Sequence, residues 1–235
     1  MRRRRYLQVT AATTVGLLAG CLGDDESTDT ALDPANPDID GEALGYPTNG
    51  EVLPSVELPA PLHDTTVATD GFVDERETLL TFIFTRCPGP CLTMTNTLAQ
   101  VQLHAMEHDI AEEVALMPVT FDPEHDTPAV LETFCESQGA DPHHDSWYAL
   151  RPESPERASD VVDDTFGVSF EEVPMDESDH GDHGDHDHDS EMTFIHTNLI
   201  VLANRDGIVE QAYFGDPPAA STVIDDLETV RAKFA

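Results

Sequence analysis

Basic residues are almost absent from the sequence. The 235 residues include 11 Lys and Arg against 47 Asp and Glu, which gives a formal net charge of −36, and Lys233 is the only lysine. A surface with this charge repels phosphate backbones and anionic lipid headgroups, which argues against nucleic-acid binding. An acid excess with so little lysine is typical of adaptation to high salt, where screening removes the cost of self-repulsion. We therefore expect a halophilic protein.

The sequence also lacks an apolar run long enough to span a bilayer as an ordinary helix. Its amino terminus has instead four arginines at residues 2–5, followed by a short stretch of apolar and small residues at 9–19. This arrangement is typical of an export signal. The arginine run followed by Tyr, Leu and Gln also resembles a twin-arginine signal, so we expect export by that route.

A lipid anchor is expected at the end of this signal. Residues 18–21 read Leu-Ala-Gly-Cys, which resembles a lipobox in which Cys21 is lipidated and becomes the first mature residue. A diacyl anchor would hold the protein firmly at the outer face of the cytoplasmic membrane. An uncleaved membrane anchor is the alternative and gives the same location.

The rest of the chain divides into a tether and one domain. Residues 22–50 are rich in Asp, Pro, Gly and Thr and show little apolar periodicity, so we expect a flexible acidic tether. Residues 51–235 have the length of one domain, and a hydrophobic content of 39% can supply its core.

The domain alternates between strand and helix patterns. Apolar runs predict strands at residues 79–84, 114–121, 193–203 and 208–214. Helical spacing predicts helices after Cys91, after Thr127 and Pro128, from Ser154 to about Gly167, and over the carboxy terminus. Two parallel crossovers followed by a hairpin and a closing helix predict an α/β, thioredoxin-like fold, with a central mixed sheet flanked by helices.

Two cysteines lie at the end of the first predicted strand. Cys87 and Cys91 enclose Pro-Gly-Pro where that strand passes into a helix. Residues four apart on a helical turn face the same side, and a helix N-terminus favours the thiolate. The two sulfurs can therefore form a redox-active disulfide or hold one soft metal ion. The alternative is a disulfide that only stabilises the fold. A bond across three intervening residues would stabilise it little, because it removes little conformational entropy from the unfolded chain.

Three ordered motifs resemble those of the Sco (SenC) copper-chaperone family. The first is FTRCPGPC at residues 84–91, and the second is VTFDPEHDTP at residues 119–128. The third is His196, which precedes a predicted strand and the Asp206-Gly207 turn. Their order and spacing hold from about residue 52 to the end of the chain. The sequence differs from the usual family pattern at Gly89, Leu92 and Ile195.

The resemblance implies a copper site formed by Cys87, Cys91 and His196, in which the two cysteines also act as a redox pair. Two thiolates and one imidazole suit Cu(I) and can also hold Cu(II), whereas zinc usually needs a fourth ligand. The resemblance further implies a client, the binuclear copper centre of a haem-copper cytochrome oxidase. The protein would deliver copper to that centre, reduce its cysteines, or do both, and would be a metallochaperone more than an enzyme.

A second histidine signal lies in residues 176–190, an Asp- and His-rich stretch that we expect to form a loop inserted in the domain. Imidazoles beside carboxylates bind divalent copper, nickel or zinc weakly. We expect this histidine tract to serve as an auxiliary metal site that raises the local copper concentration. Its imidazoles are His180, His183, His186 and His188. The alternative is an acidic halophilic loop that happens to contain histidines.

For three further residues, we favour a structural role over a functional one. Asp122 and Asp126 are expected to shape the turn after the second strand and to cap the next helix, although they could also orient a ligand or a partner. Cys135 lies on the apolar face of its predicted helix and is expected to be a buried, inert thiol rather than a resolving cysteine.

Other functions remain open at this stage. A thioredoxin-like thiol–disulfide oxidoreductase of exported proteins is the main alternative, although such enzymes favour two residues between their cysteines and a proline opposite them. A thiol peroxidase and a copper storage or resistance lipoprotein are further candidates. The expected partners are therefore an oxidase copper subunit, a thiol reductant and the membrane.

Overall fold

A computed structural model describes residues 30–34, 44–174 and 192–234. Within these ranges no helix has the length and apolar character needed to cross a membrane. Cys21 and the histidine tract lie outside the described residues, and so do the predictions made for them.

The structure has strands and helices in the regions where the sequence predicts them, together with strands that were not predicted. The strands are β1 (Glu57–Ala60), β2 (Thr65–Ala68), β3 (Glu77–Ile83), β4 (Val114–Thr120), β5 (Phe170–Pro174), β6 (Met192–His196), β7 (Leu199–Ala203) and β8 (Val209–Phe214). The helices are α1 (Pro90–Glu107), α2 (Pro128–Ser137), α3 (Pro155–Ser159) and α4 (Ala220–Phe234).

A mixed four-stranded sheet forms the core. Its strand order is β4-β3-β7-β8, in which β3 and β4 are parallel and the other two pairings are antiparallel. Every residue of β3, β4 and β7 is buried, which explains why these strands appear in the sequence as continuous apolar runs. This sheet, flanked by helices, confirms the predicted thioredoxin-like fold.

Proline begins three of the helices. Pro90, Pro128 and Pro155 occupy the first helical positions, where a missing N–H costs nothing. The hydroxyl of Thr127 accepts from the Val130 amide, so Thr127 caps α2 as predicted. The third predicted helix, from Ser154 to about Gly167, is only partly α-helical, because α3 continues as a π-helix over residues 160–165 before the chain turns at Gly167 (φ 65°).

The predicted single strand at residues 193–203 is wrong. The chain leaves β6 after His196 and begins β7 at Leu199. The side chain of Asn198 donates to the Gly215 carbonyl, and the Gly215 amide donates to the Asn198 carbonyl. The Thr197 amide donates to the Ser169 carbonyl and extends the β5–β6 pairing, whereas the Asn198–Gly215 bonds extend the β7–β8 pairing. The chain therefore passes from one ladder to the other between these two residues.

Parts of the segment assigned to the tether contact the domain. The buried carboxylate of Glu210 accepts hydrogen bonds from the backbone amides of Ala31 and Leu32, at 2.6 and 2.9 Å. Further along, Tyr46 stacks on Phe214 with ring centroids 4.6 Å apart. Both described parts of this segment therefore contact the domain. Strand β5 and the hairpin of β1 and β2 were also not predicted.

Candidate metal centre

The two cysteines lie at the carboxyl end of β3, where the chain turns into α1. Cys87 precedes the helix and its amide donates to the Phe84 carbonyl, while Cys91 occupies the second position of α1. Both are buried thiols. In general, a position at a helix N-terminus favours the thiolate form of a cysteine.

His196 reaches the cysteines from the last position of β6. Its Nε2 atom lies 3.4 Å from the Sγ atom of Cys91. One donor atom from each of Cys87, Cys91 and His196 lies within 4.8 Å of the other two. Among the described residues, no other group of three such side chains meets this criterion. The structure thus brings together the three residues that the family resemblance implied as ligands.

The imidazole of His196 has a defined tautomer. Its Nδ1 atom lies 2.9 Å from the backbone carbonyl oxygen of Thr197. A carbonyl can only accept, so Nδ1 carries the proton and Nε2 presents a lone pair toward Cys91. Histidines that bind metals are commonly oriented in this way, through a hydrogen bond from the ring nitrogen that does not bind the metal.

Aromatic rings pack around His196. The imidazole lies 5.1 Å from the Phe121 ring and 5.6 Å, edge-on, from the Phe84 ring. Phe170 and Phe194 extend the same cluster, since each of them contacts Phe121. This wall restricts the ring and excludes water from one side of the site. None of these four residues was predicted as part of the site, although Phe84 and Phe121 lie within two of the three motifs.

The two thiols have opposite pKa shifts. The pKa of Cys87 is lowered to about 4, chiefly by a hydrogen bond from Cys91 and to a smaller extent by His196, although burial acts in the opposite direction. Burial raises the pKa of Cys91, and the nearby Cys87 raises it further. Without metal, the pair therefore holds a thiolate at Cys87 and a neutral thiol at Cys91. This arrangement is typical of a nucleophilic cysteine with a buried partner.

Two aspartates hold the loop before Cys87. Buried Asp126 accepts hydrogen bonds from the amide and hydroxyl of Thr85 and from the hydroxyl of Thr120. Asp122 accepts from the guanidinium of Arg86 at 2.7 Å. The expectation that these aspartates cap α2 is wrong, because Thr127 has that role. They instead join the end of β4 to the two residues that precede Cys87.

Cys135 does not belong to the site. It is fully buried, and burial raises its pKa to about 12, so it is an inert thiol as predicted. The histidine tract follows β5 and precedes β6, whose ends Pro174 and Met192 are paired. His196 lies four residues further along β6, about 13 Å away for an extended strand.

Comparison with known proteins identifies the family. The family model for SCO1/SenC matches residues 62–231. The chain belongs to the SCO1/SenC family. This membership confirms the resemblance found in the three motifs. No curated protein sequence matches the chain significantly.

Solved structures resemble this SCO1/SenC protein over most of its length. ScoI from Bradyrhizobium japonicum with copper bound is 26% identical, with a TM-score of 0.57 and coverage of 77% of this chain and 99% of that one. Apo Sco1 from Thermus thermophilus is 26% identical, with a TM-score of 0.53 and coverage of 76% and 91%. BsSco, described as a member of the Sco family of cytochrome c oxidase assembly proteins, is 21% identical, with a TM-score of 0.56 and coverage of 79% and 96%.

The donor set of this SCO1/SenC protein fits copper. Two sulfurs and one imidazole nitrogen are soft and intermediate donors, which copper prefers to oxygen ligands. The tautomer of His196 leaves its Nε2 free to bind, and the buried sulfurs are shielded from bulk water. The same two thiols can instead form a disulfide and deliver two electrons.

Proposed function

We propose that this SCO1/SenC protein binds one copper ion through Cys87, Cys91 and His196 and passes it to the binuclear copper centre of a terminal oxidase. The observation that carries the proposal is the meeting of the three donor atoms within 4.8 Å, on segments that are far apart in sequence. The copper-bound relative ScoI and the oxidase assembly role named for BsSco support it.

Loading releases a proton from the site. Cys87 is already a thiolate, whereas Cys91 carries its proton until the metal displaces it. His196 would bind the ion through Nε2, because its Nδ1 atom is bonded to the Thr197 carbonyl. Copper is the cargo, and it leaves by ligand exchange, as donors of the acceptor replace the three donors one after another.

Transfer can be measured directly. Copper-loaded protein is mixed with the purified, metal-free copper-site domain of the oxidase from the same organism, and the visible absorption of the filled binuclear centre is followed. We expect the absorption to appear with wild-type protein and with Cys135→Ala, a matched thiol outside the site. His196→Ala should fail to produce it. Equal transfer by His196→Ala would contradict the proposed site.

Reduction of the client is a second candidate function, favoured by the low pKa of Cys87 beside a buried partner thiol. The Cys87 thiolate attacks a client disulfide and releases one client thiolate. Cys91 then loses its proton and attacks the Cys87 sulfur, which releases the second client sulfur. Two electrons reach the client, and the protein is left with a Cys87–Cys91 disulfide that an external thiol reductant must reduce.

The variant His196→Ala separates the two functions. Thiol exchange needs only the cysteines, so this variant should still reduce a client disulfide while it loses copper. Cys91→Ala should lose both activities, because the mixed disulfide is then not resolved. A His196→Ala variant that keeps copper transfer and loses reduction would contradict both assignments.

We also propose that the histidine tract supplies copper to the site when copper is scarce. In the sequence the tract ends shortly before β6, whose last residue is His196, and the imidazoles of the tract suit Cu(II). Replacing residues 176–190 with an Asn-Gly turn should slow loading at limiting copper and leave the final copper content unchanged. Unchanged loading would contradict this role.

Export and lipid anchoring are proposed from the sequence motifs around Cys21. Mass spectrometry of the protein from membranes should show a lipid-modified residue 21 as the amino terminus. Cys21→Ser should release the protein from the membrane fraction, whereas Cys135→Ser should not. A membrane-bound Cys21→Ser protein would indicate an uncleaved anchor instead.

A further inference from the structure

A short amino-terminal piece of the chain is docked on the domain, and we call this piece, residues 30–34, the strap. The amides of Ala31 and Leu32 donate to the buried carboxylate of Glu210. The side-chain amide of Asn49 joins the same two segments, because it donates to the Leu32 carbonyl at 3.0 Å and to the Glu210 carbonyl at 2.7 Å. Ala31 and Leu32 also pack against the core. Polar and apolar contacts therefore hold the strap together.

The only lysine of the chain also binds the strap. The Nζ atom of Lys233, near the end of α4, donates to the carbonyl of Thr30. Thr30 is itself buried, with 6% of its surface exposed. These contacts fix the place where the amino-terminal chain meets the domain, which is beside the last turn of α4.

The strap lies at the end of the central sheet opposite the metal centre. Strand β3 runs toward Cys87, so Thr78 near its start marks the other end. Thr78 pairs with Ala203 of β7, and Ala203 pairs with Val209 of β8. Glu210, which holds the strap, is the next residue of β8. The strap and the two cysteines are therefore at opposite ends of the strands.

Helix α4 leads to the same end of the sheet. The Nε atom of Arg231, two residues before Lys233, lies 3.8 Å from the carboxylate of Glu77, the first residue of β3. Strand β3 has 7 residues, so its ends are about 20 Å apart at about 3.3 Å per residue. The metal centre follows the last residue of β3, and the strap lies beside the first.

Docking of the strap shortens the tether to the membrane. If the chain is anchored at Cys21, only residues 22–29 separate the anchor from Thr30. An extended chain over this stretch spans at most about 30 Å. The whole expected tether, residues 22–50, would span up to about 100 Å if all of it were free. The strap therefore reduces the reach of the tether about threefold.

We infer that the strap holds the end of the domain opposite the metal centre toward the membrane, so that Cys87, Cys91 and His196 face away from the bilayer. The inference rests on the membrane attachment proposed above. A domain of this length has a diameter of about 40 Å, whereas the root-mean-square length of the remaining tether is about 17 Å. Because the bilayer excludes the domain, the attached end stays nearest to it. An uncleaved anchor over residues 9–19 would leave a tether of similar length.

This orientation restricts the copper acceptor. Ligand exchange requires the donors of both proteins to reach the same ion, so the acceptor must approach the end of the domain that faces away from the bilayer. The acceptor's copper site therefore lies in a part of that protein that extends out of the membrane. A copper site buried within the bilayer could not be reached in this orientation.

The two ends of β4, which is parallel to β3, provide matched positions for a probe. Glu112 is exposed shortly before β4, at the strap end, and Glu124 is exposed shortly after it, at the metal end. Glu112→Cys and Glu124→Cys are made in the full chain, and each carries a nitroxide on the introduced cysteine. The protein is labelled in its oxidised form, in which Cys87 and Cys91 are joined in a disulfide, and Cys135 is buried.

The distance of each probe from the membrane is then compared. The labelled protein is attached through its own anchor to vesicles whose lipid headgroups carry a Gd(III) chelate, which accelerates nitroxide relaxation at short range. We expect the relaxation of the Glu112→Cys label to be accelerated several-fold more than that of the Glu124→Cys label.

Insertions on either side of the strap test its role without changing the domain. A Gly/Ser insertion of about 20 residues after residue 25 lengthens the chain between anchor and strap to a root-mean-square length of about 30 Å. This insertion should clearly reduce the difference between the two labels. The same insertion after residue 38 lies beyond the strap and should leave the difference unchanged. Lys233 should react equally slowly with an amine-reactive ester in both variants, because the strap stays docked.

The outcomes separate this inference from the proposed function. Attached protein in which both labels relax equally, or in which the Glu124→Cys label relaxes faster, would overturn the inference and leave the proposed anchor and copper site intact. Equal effects of the two insertions would also overturn it, because the strap would then not shorten the tether. Protein that does not float with the vesicles would refute the proposed anchoring and this inference together.

Discussion

The Nε2 atom of His196 lies 3.4 Å from the Sγ atom of Cys91, while Nδ1 of the same ring bonds the Thr197 carbonyl. The Thr197 carbonyl that accepts from the ring lies where the chain passes from the β5–β6 ladder to the β7–β8 ladder. One backbone feature thus sets both the position and the tautomer of the imidazole.

The tautomer can be observed in the metal-free protein. Nitrogen-15 spectra of the reduced protein should show His196 as the tautomer protonated at Nδ1, which is the minority form for free imidazole side chains. The exposed His143 serves as an internal reference, because its Nε2 is bonded to Glu132 and should carry the proton. A His196 ring protonated at Nε2 would contradict the arrangement described here.

The pH dependence of alkylation should differ between the cysteines. With a pKa of about 4, Cys87 is a thiolate throughout the neutral range, so its reaction rate with iodoacetamide should be nearly flat from about pH 6 to 8. An ordinary thiol would react roughly tenfold faster for each pH unit in that range. The rate should fall only as the pH approaches 4, because protonation then removes the nucleophile.

Mass spectrometry can assign this alkylation. Cys87→Ser should abolish the fast reaction, whereas Cys135→Ser should leave it unchanged. Cys91 and Cys135 should react slowly, since burial raises both of their pKa values. A rate at Cys87 that climbs steeply between pH 6 and 8 would show that its pKa is not lowered.

Removal of the buried Asp126 carboxylate should destabilise the domain. Asp126→Ala leaves the amide and hydroxyl of Thr85 and the hydroxyl of Thr120 without their acceptor. Three hydrogen bonds at about 1 kcal/mol each predict a loss of about 3 kcal/mol in the free energy of unfolding. Asp126→Asn keeps an acceptor oxygen and should cost about 1 kcal/mol. Denaturant unfolding in high salt would measure the loss for each variant. Equal losses for Asp126→Ala and Asp126→Asn would contradict a stabilising role for these hydrogen bonds.

The amino-terminal contact can be tested through Glu210. Its carboxylate accepts from the amides of Ala31 and Leu32 and from the Asn204 side chain, so Glu210→Ala should destabilise the protein by about 3 kcal/mol. Hydrogen exchange at Ala31 and Leu32 should also accelerate. The control is Glu57→Ala, which removes an exposed acid. Unchanged exchange at these two amides would show that Glu210 does not hold the segment.

The cysteine pair could be placed from the sequence because local rules determine it. A continuous apolar run predicts a buried strand, and proline followed by helical spacing predicts where α1 begins, so Cys87 and Cys91 must lie at that junction. The position of Thr127 at the start of α2 follows from similar local preferences. These features need no knowledge of contacts distant in sequence.

The partners of His196 could not be placed in this way. The sequence at residues 193–203 has neither glycine nor proline to mark the break, where the pairing partner changes from Ser169 to Gly215. The roles of Asp126 and Glu210 likewise depend on donors 41 and 179 residues away. Only the fold brings such groups together, so a single sequence shows the residues without their contacts.

The copper content of the reduced protein at high salt tests the central claim most directly. Wild type, Cys135→Ala and a variant without residues 176–190 should each hold one tightly bound copper ion. The matched histidine variant His104→Ala should hold one too, because His104 bonds Glu228 away from the site. Cys87→Ala/Cys91→Ala and His196→Ala should lose that ion. If copper is lost only with residues 176–190 and is kept in His196→Ala, the proposed three-residue copper site is wrong.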